Sequence, residues 1–573
     1  MCAHKVTRTI RPAAAHSSRR SLDPAAWSVI PPPCSASPAH GRIDLECGRL
    51  QHLRENHIAN TAWGLATVVA VLLLFWFAYR AQARQKWLPA AVAITLAAMA
   101  LRLYAGSDLY LHAWDERYHA LVAKNLMAHP LTPTLYERPA LPYDFRDWHA
   151  NHVWLHKPPL ALWLGAGGMA LLGVNEIALR LPGLLLSTLA VLLTFLIGSR
   201  LFDPRLGLLA AAFHAVNGYL LQLPGGRVPV DHIDNVLIFC VELGIFLAVV
   251  YAQRPRFWLL AAIGAAAGLA VLAKWLPGLL VYPVWVVLVW RREKPRAMLA
   301  HLAAMALATA AVVLPWQLHI RHAFARDAAW NDAYNLRHFT EPIDGLGGSP
   351  LFHLEQMPRY FGELIYIPLA FFLAALALRR EPRRLAPVAA WLFLPYLIFS
   401  LAATKMGAYV MAAAPAVCLV EAWFWLRLLA WQPAARPARW LRCLRCLRWS
   451  LLALLLLLPL RYGVERLKLR PSYDRDPAWA RTLRTLPRRV GAGPVVLFNL
   501  DRPVEAMFYT PYTAYEGLPQ PAVAQRLLRE GWRVVVFDDG KLPPALAATP
   551  GVERLPGAFP ASPDNDGTGS RLR

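Results

Sequence analysis

Cysteine is scarce and scattered in this chain. Its seven copies, Cys2, Cys34, Cys47, Cys240, Cys418, Cys443 and Cys446, are spread over 573 residues. An odd, dispersed set makes no disulfide framework. Cys443 and Cys446 form a CxxC, but no second ligand pair accompanies it, which argues for filler in a basic loop over a zinc site. Acids are also few, with 36 Asp and Glu against 60 Lys and Arg. That excess excludes an acidic, solvating chain. It does not indicate nucleic acid, because the basic residues gather in short loops between apolar runs and form no single stripe. Neither a GxxxxGKS/T loop nor a GxGxxG turn occurs, so no nucleotide cofactor is expected. No short apolar core follows the early basic residues, so no secretory leader is expected.

Charge as a whole is thin. Only 17% of residues are charged, 57% are hydrophobic, and the mean hydropathy is +0.34. Apolar runs of span length recur, and a helix needs roughly 20 such residues to cross ~30 Å of hydrocarbon. The expected fold class is an all-α polytopic membrane protein. Candidate spans lie at about 61–79, 87–106, 180–199, 206–223, 233–251, 257–273, 276–290, 298–317, 359–378, 385–402, 407–426 and 449–461. The last is the weakest, with only twelve residues between Arg448 and Arg461. About 11–12 transmembrane helices are therefore expected over 61–463.

Alternation sorts the connecting loops. Segments 80–86, 200–205, 254–256, 291–296, 379–384 and 427–448 hold 21 Lys or Arg against three acids. The long loops 107–179 and 318–358 hold eight Lys or Arg against twelve acids. The positive-inside rule places the first set in the cytoplasm and the long loops outside. The same alternation places the basic segment 1–60, which reads as disordered, outside and against the rule. Residues 464–573 change character. "PVVLFN" and "WRVVVFD" read as strands and "PAVAQRLLREG" as a helix, so a small extracytoplasmic α/β lobe is expected.

Within the first outer loop, "HAWDERYHALVAKNL" (112–126) begins a helix. Asp115 is a candidate cap and Glu116 suits the helix's positive end. A carboxylate at the water–membrane boundary also serves as a general base or metal ligand, and the two readings are compatible. "HKPPLALWLGAGGMALLG" (156–173) reads as a surface helix with prolines in its first turn. "GGRVPVDHIDNVLIF" (225–239) brings Arg227, Asp231 and Asp234 within eight residues at the mouth of a span. They form either an ion pair that fixes the loop or the lining of a wet cavity. Lys274 and Lys405 stand at outer span ends. Snorkelling is the plain reading, and point charges for a phosphate are the functional one. Arg337 and His338 could join that patch.

These pieces, in this order, resemble the protein O-mannosyltransferase and lipid A aminoarabinose transferase superfamily, whose members have the GT-C fold. The matching motifs are "WDERYHALVAKNL", "KPPL", "NEIALRLPGLLLSTLAVLLTFLIGSRLF", "GRVPVDHID", "LAKWLPGLL", "LPWQLHI" and "TKMGAYVMAAAPA", over roughly residues 88–426. The resemblance implies a glycosyltransferase of the inner membrane. It would move a hexosyl or pentosyl group from a polyprenyl-phosphate donor to an extracytoplasmic lipid, glycan or protein acceptor, with no nucleic acid partner. It implies Asp115 as catalytic acid with Glu116 beside it, and Asp234, or else Asp231, as the second acid. Lys274 and Lys405 would map to the donor-phosphate region, and Arg227, Asp231, Lys157, Arg337 and His338 are further substrate-binding candidates. A divalent metal held by Asp115 and Glu116 is a further expectation. The alternative is a polytopic transporter or flippase of lipid-linked sugars, which would place its polar residues near the midplane.

Overall fold

The structure is a computed structural model that describes residues 41–228, 232–432 and 438–557. Asp231 and residues 1–40 of the segment expected to be disordered lie outside the described residues. Residues 56–573 form one compact unit.

Helices follow the apolar runs in order: α1 (Gly41–Ala83), α2 (Trp87–Ala105), α3 (Asp115–Leu126), α4 (Pro159–Leu172), α5 (Glu176–Leu201), α6 (Pro204–Val216), α7 (Gly218–Gln222), α8 (Asp234–Gln253) and α9 (Phe257–Lys274). After a 3-10 turn over Leu276–Leu280 come α10 (Val281–Val289), α11 (Pro295–Ala323), α12 (Ala325–Thr340), α13 (Phe352–Phe361), α14 (Tyr366–Ala377) and α15 (Pro382–Leu401). A 3-10 stretch over Gly407–Ala413 leads into α16 (Ala414–Ala430), and α17 (Ala438–Leu467) closes the bundle. Among the described residues nine helices are long and apolar enough to cross a membrane, or ten if the bent pair α13–α14 is one span. The protein is a multi-pass membrane protein.

Every expected span is helical, but several differ from expectation. The run at 206–223 breaks at Asn217, whose side chain accepts from the backbone N–H groups of Tyr219 and Leu220 and so starts a new helix. The 13 residues of α6 reach only ~20 Å, short of a hydrocarbon core. The run at 359–378 bends by 116° between α13 and α14, at Gly362 with φ +96°. The run at 449–461, expected to be weakest, is the centre of a 28-residue apolar helix over Trp440–Leu467, long enough for its arginines to reach the interface. The segment expected to be disordered to residue 60 is helical from Gly41. The span over Gly407–Ala430 is the most enclosed, with 83% of its apolar window buried, whereas that of α11 is 6% buried and forms an outer wall.

The lobe after α17 is α/β, as expected. It runs α18 (Ala478–Val490), β1 (Val495–Phe498), α19 (Pro503–Tyr509), β2 (Thr513–Ala514), α20 (Pro521–Arg529), β3 (Arg533–Asp538), α21 (Pro544–Ala547) and β4 (Glu553–Pro556). The strands are all parallel in the order β2-β1-β3-β4. All four residues of β1 are buried, as befits a strand covered on both faces. The lobe is fastened to α3. Lys124 donates to the carbonyls of Met507, Phe508 and Thr510 at 2.7, 2.9 and 2.8 Å, so an ammonium closes the C-terminal end of α19. Burial among these groups brings the Lys124 ammonium down to about 8.

Candidate active site

The helix that carries the acidic pair opens differently from expectation. Asp115 is its first residue, and Trp114 occupies the cap position with no side-chain cap bond. Trp114 has φ 70° and ψ −131°, a region that glycine favours and a tryptophan enters only under constraint. The same twist recurs at Trp275 (φ 58°, ψ −145°), directly after Lys274.

The constraint on Trp114 comes from a buried lattice of charges. Arg180, on the first turns of α5, donates from Nε to Glu116 Oε1 at 2.6 Å and from Nη2 to Oε2 at 3.0 Å. Its other hydrogens reach the carbonyls of Gly106 (3.2 Å), Tyr110 (2.6 Å) and Asp108. One guanidinium thus clasps the whole segment between α2 and α3. Glu116 Oε2 also accepts from the backbone N–H of His112 and contacts His112 Nδ1, both at 2.7 Å. The other ring nitrogen of His112 lies 3.1 Å from Asp108. Asp108 in turn accepts from Arg227 (2.7 and 2.9 Å), Arg475 (2.7 Å) and the Tyr473 hydroxyl (2.9 Å).

Burial by itself would raise both carboxyls. The arginines and His112 outweigh it, so Asp108 and Glu116 are held well below the ordinary carboxylate range. Burial likewise opposes charge on His112, but Glu116 and Asp108 overcome it and raise the imidazole. A histidine between two carboxylates is thus favoured in its protonated form.

This geometry gives several of the candidate residues partners within the protein. Glu116 is 1% exposed with both oxygens engaged by Arg180 and His112, so it braces the loop. Arg227 is likewise engaged within the protein. It forks onto Asp108 and also donates to the carbonyls of Arg466 and Leu467. Lys405 closes the C-terminal end of α15, donating to the carbonyls of Phe399, Ser400 and Ala402 at 3.1, 2.7 and 2.5 Å. Arg337 is exposed and pairs with Glu341, the residue that ends α12, at 2.8 Å. His338 sits beside it, its Nδ1 3.1 Å from the Tyr334 carbonyl. The two carboxylates of the expected metal pair have different surroundings. Among the described residues no three His, Cys, Asp or Glu converge to hold an ion, and the Glu116 carboxylate is committed to Arg180. Asp108, His112 and Arg180 were missed. The one hint was Arg180 itself, an arginine set just inside an apolar run, where a charge needs a partner.

What the structure does bring together is two acid–lysine pairs. Asp115 Oδ2 lies 3.8 Å from Lys157 Nζ, ahead of α4. Asp234, in the first turn of α8, lies 2.6 Å from Lys274 Nζ at the end of α9. That ammonium also sits 4.9 Å over the ring of Tyr409. Each pair joins two elements distant in sequence, and each lies beside one of the two strained tryptophans or within its reach along the chain.

Gly226 makes the lattice testable. It has φ +74°, and a Cβ there would fall 2.1 Å from Glu116 Oε1. Gly226→Ala is expected to lower stability by about 2–4 kcal/mol by displacing the clasped carboxylate. Thermal unfolding in detergent would show it, and a melting point equal to the parent's would contradict the close approach.

Residues 156–316 match the family model described as dolichyl-phosphate-mannose-protein mannosyltransferase. The crystal structure of ArnT from Cupriavidus metallidurans bound to undecaprenyl phosphate superposes with a TM-score of 0.56 at 16% identity, covering 76% of this chain and 88% of that one. The chain has the GT-C fold. This GT-C protein also superposes on the oligosaccharyltransferase AglB from Archaeoglobus fulgidus, solved with an inhibitory peptide and a dolichol-phosphate. The TM-score is 0.50 at 15% identity, covering 74% of this chain and 64% of that one. In sequence it is 32% identical, over 288 residues, to the undecaprenyl phosphate-alpha-4-amino-4-deoxy-L-arabinose arabinosyl transferase of Pseudomonas aeruginosa. That match covers 46% of this chain and 49% of the relative. The chain therefore spans about half the length of the curated relatives it matches. Over these stretches the chain is similar to proteins named as mannosyltransferases and aminoarabinose transferases.

Proposed function

We propose that this protein is an inner-membrane glycosyltransferase that moves a sugar from a polyprenyl-phosphate donor to an acceptor on the extracytoplasmic face. The observation that carries the reading is Asp115 at the head of α3, held beside Lys157 by the Arg180 lattice. The similarity to proteins named for, or solved with, polyprenyl phosphates supports the donor class.

The chemistry follows from this placement. Asp115 takes the proton of the acceptor nucleophile as that nucleophile bonds to the anomeric carbon. The bond from that carbon to the phosphate oxygen breaks, and polyprenyl phosphate leaves with the electron pair. Lys157 and Lys274 are the ammonium groups that meet its charge. Asp234 fixes Lys274 across α8 and α9, so Lys274→Met is expected to raise KM for the donor about tenfold. Donor titration of the purified variant checks this, and an unchanged KM would remove Lys274 from the donor site.

Reconstitution of the full chain into vesicles with a polyprenyl-phosphate sugar and an envelope lipid extract tests the reaction. Polyprenyl phosphate should be released as the sugar appears on an acceptor. No release, together with an unaltered glycolipid and glycoprotein profile in a deletion strain, would overturn the proposal.

A further inference from the structure

Two histidines meet where the Asp115 helix approaches the Asp234 helix. His119 lies one turn along α3 from Asp115, and His232 lies two residues ahead of Asp234. They are 1% and 8% exposed. Their Nδ1 atoms are 3.0 Å apart and their ring centroids 4.8 Å apart. Trp154 stands edge-on to His119 at 5.6 Å. A small cavity of about 30 Å³ borders both rings and is also lined by Asn235, Gly183 and Arg180. The pair stands where the element that carries Asp115 and Glu116 meets the one that carries Asp234.

We propose that His119 and His232 are positioning residues. Their imidazole–imidazole hydrogen bond holds the Asp115 helix in register with the Asp234 segment, and it does so only while the couple carries no more than one extra proton. The physical basis is the symmetry of the contact. A bond between two Nδ1 atoms needs one N–H donor and one lone pair. A neutral couple satisfies this with unlike tautomers. A singly protonated couple satisfies it better, with a charge-assisted bond. A doubly protonated couple points two N–H groups at each other and adds like charges at 3.0 Å, so it must separate. Among the described residues, the ionisable groups on the surrounding elements include Asp115 and Glu116 of α3, Asp234 of α8, Arg180 of α5, and His156 and Lys157 ahead of α4. The carboxylates favour the first proton, and Arg180, which shares the cavity, opposes the second.

The test has one arm that is independent of the proposed reaction. Amide hydrogen exchange over residues 115–126 is followed in the full chain in nanodiscs from about pH 8 to about pH 5, spanning the ordinary histidine range. After correction for intrinsic rates, protection of α3 should fall several-fold at the acid end. His232→Gln keeps a donor and an acceptor but cannot titrate there, and should abolish that fall. Constant protection in the parent, or the same fall in His232→Gln, would overturn the coupling. The second arm reads turnover and rests on the glycosyltransferase assignment. His119→Ala and His232→Ala should each lower kcat about tenfold with little change in KM, the double variant should lose no more than either single one, and His232→Gln should restore part of the loss. Additive losses in the double variant would show that the two rings do not act as a couple. Should no transfer occur in any form, the exchange arm still decides the coupling.

Discussion

Asp115→Asn is expected to lower sugar transfer by about 10²–10⁴-fold, the usual contribution of a positioned general base. The fold should survive, because the Arg180 bonds that clasp the loop run to Glu116 and to backbone carbonyls. The contact to Lys157 is long, at 3.8 Å, and an amide fits the same space. The loss should fall on kcat, since a base acts in the transition state and contributes little to ground-state binding. Transfer from a polyprenyl-phosphate sugar in vesicles measures it, with the melting temperature as a control for folding. Parental turnover in Asp115→Asn would remove the base from the mechanism. Glu116→Gln is the informative comparison. It leaves the candidate base untouched but weakens the Arg180 clasp, so it should lower stability first and activity only in proportion to folded protein.

Arg180→Leu is expected to destabilise the protein by about 3–5 kcal/mol, the cost of leaving a buried charge without its partner. Glu116 would keep only His112, and the carbonyls of Gly106, Asp108 and Tyr110 would lose their common donor. The strain at Trp114 would then have nothing to hold it. Acid should narrow the gap between variant and parent. In the parent the Glu116 carboxyl sits below its ordinary range. Its stabilisation is therefore fully present above about pH 4.3, the unfolded value, and is lost only as pH falls through the lower folded value. In the variant, burial without Arg180 raises the carboxyl. Its penalty is then largest at neutral pH and fades as the group takes up a proton on acidification. Thermal unfolding of both proteins from about pH 7.5 to about pH 4.5 would show the convergence. A pH-independent difference would mean that the lattice does not depend on the Glu116 charge. Arg180→Lys should fall in between, because an ammonium keeps the charge but cannot fork to the carboxylate and three carbonyls at once.

The bundle was legible in the sequence because a span is a local property. Each apolar run carries its own length requirement, and the basic loops carry their own topology bias. The departures came where one residue overrode the run: Asn217 restarting a helix, and Gly362 permitting a sharp bend. The lobe was legible in part. Its buried strands show as apolar runs, whereas their parallel order depends on crossovers that no single run records.

The candidate site was half legible. The acidic pair, the KPP turn and Asp234 all stood out as polar groups at span ends. Which member of the pair faces the reaction did not. Asp115 and Glu116 are neighbours in the chain but ~100° apart around a helix, so one side chain turns toward Lys157 and the other into the Arg180 clasp. Arg227 and Lys405 read equally well as phosphate ligands and as braces. Their partners, Asp108 for one and the last carbonyls of α15 for the other, are set by packing.

By itself, then, the order of residues determined that this chain threads a membrane many times, that its long loops share one side, and that an acid stands at the head of the first of them. These follow from apolar length and charge bias, which act over tens of residues at most. Only the tertiary structure decided which charges are structural. Arg180, Arg227 and Arg475 converge on two carboxylates from 64 to 367 positions away, and the energy of a buried ion depends on what lies within a few ångströms in space, not on its place in the chain.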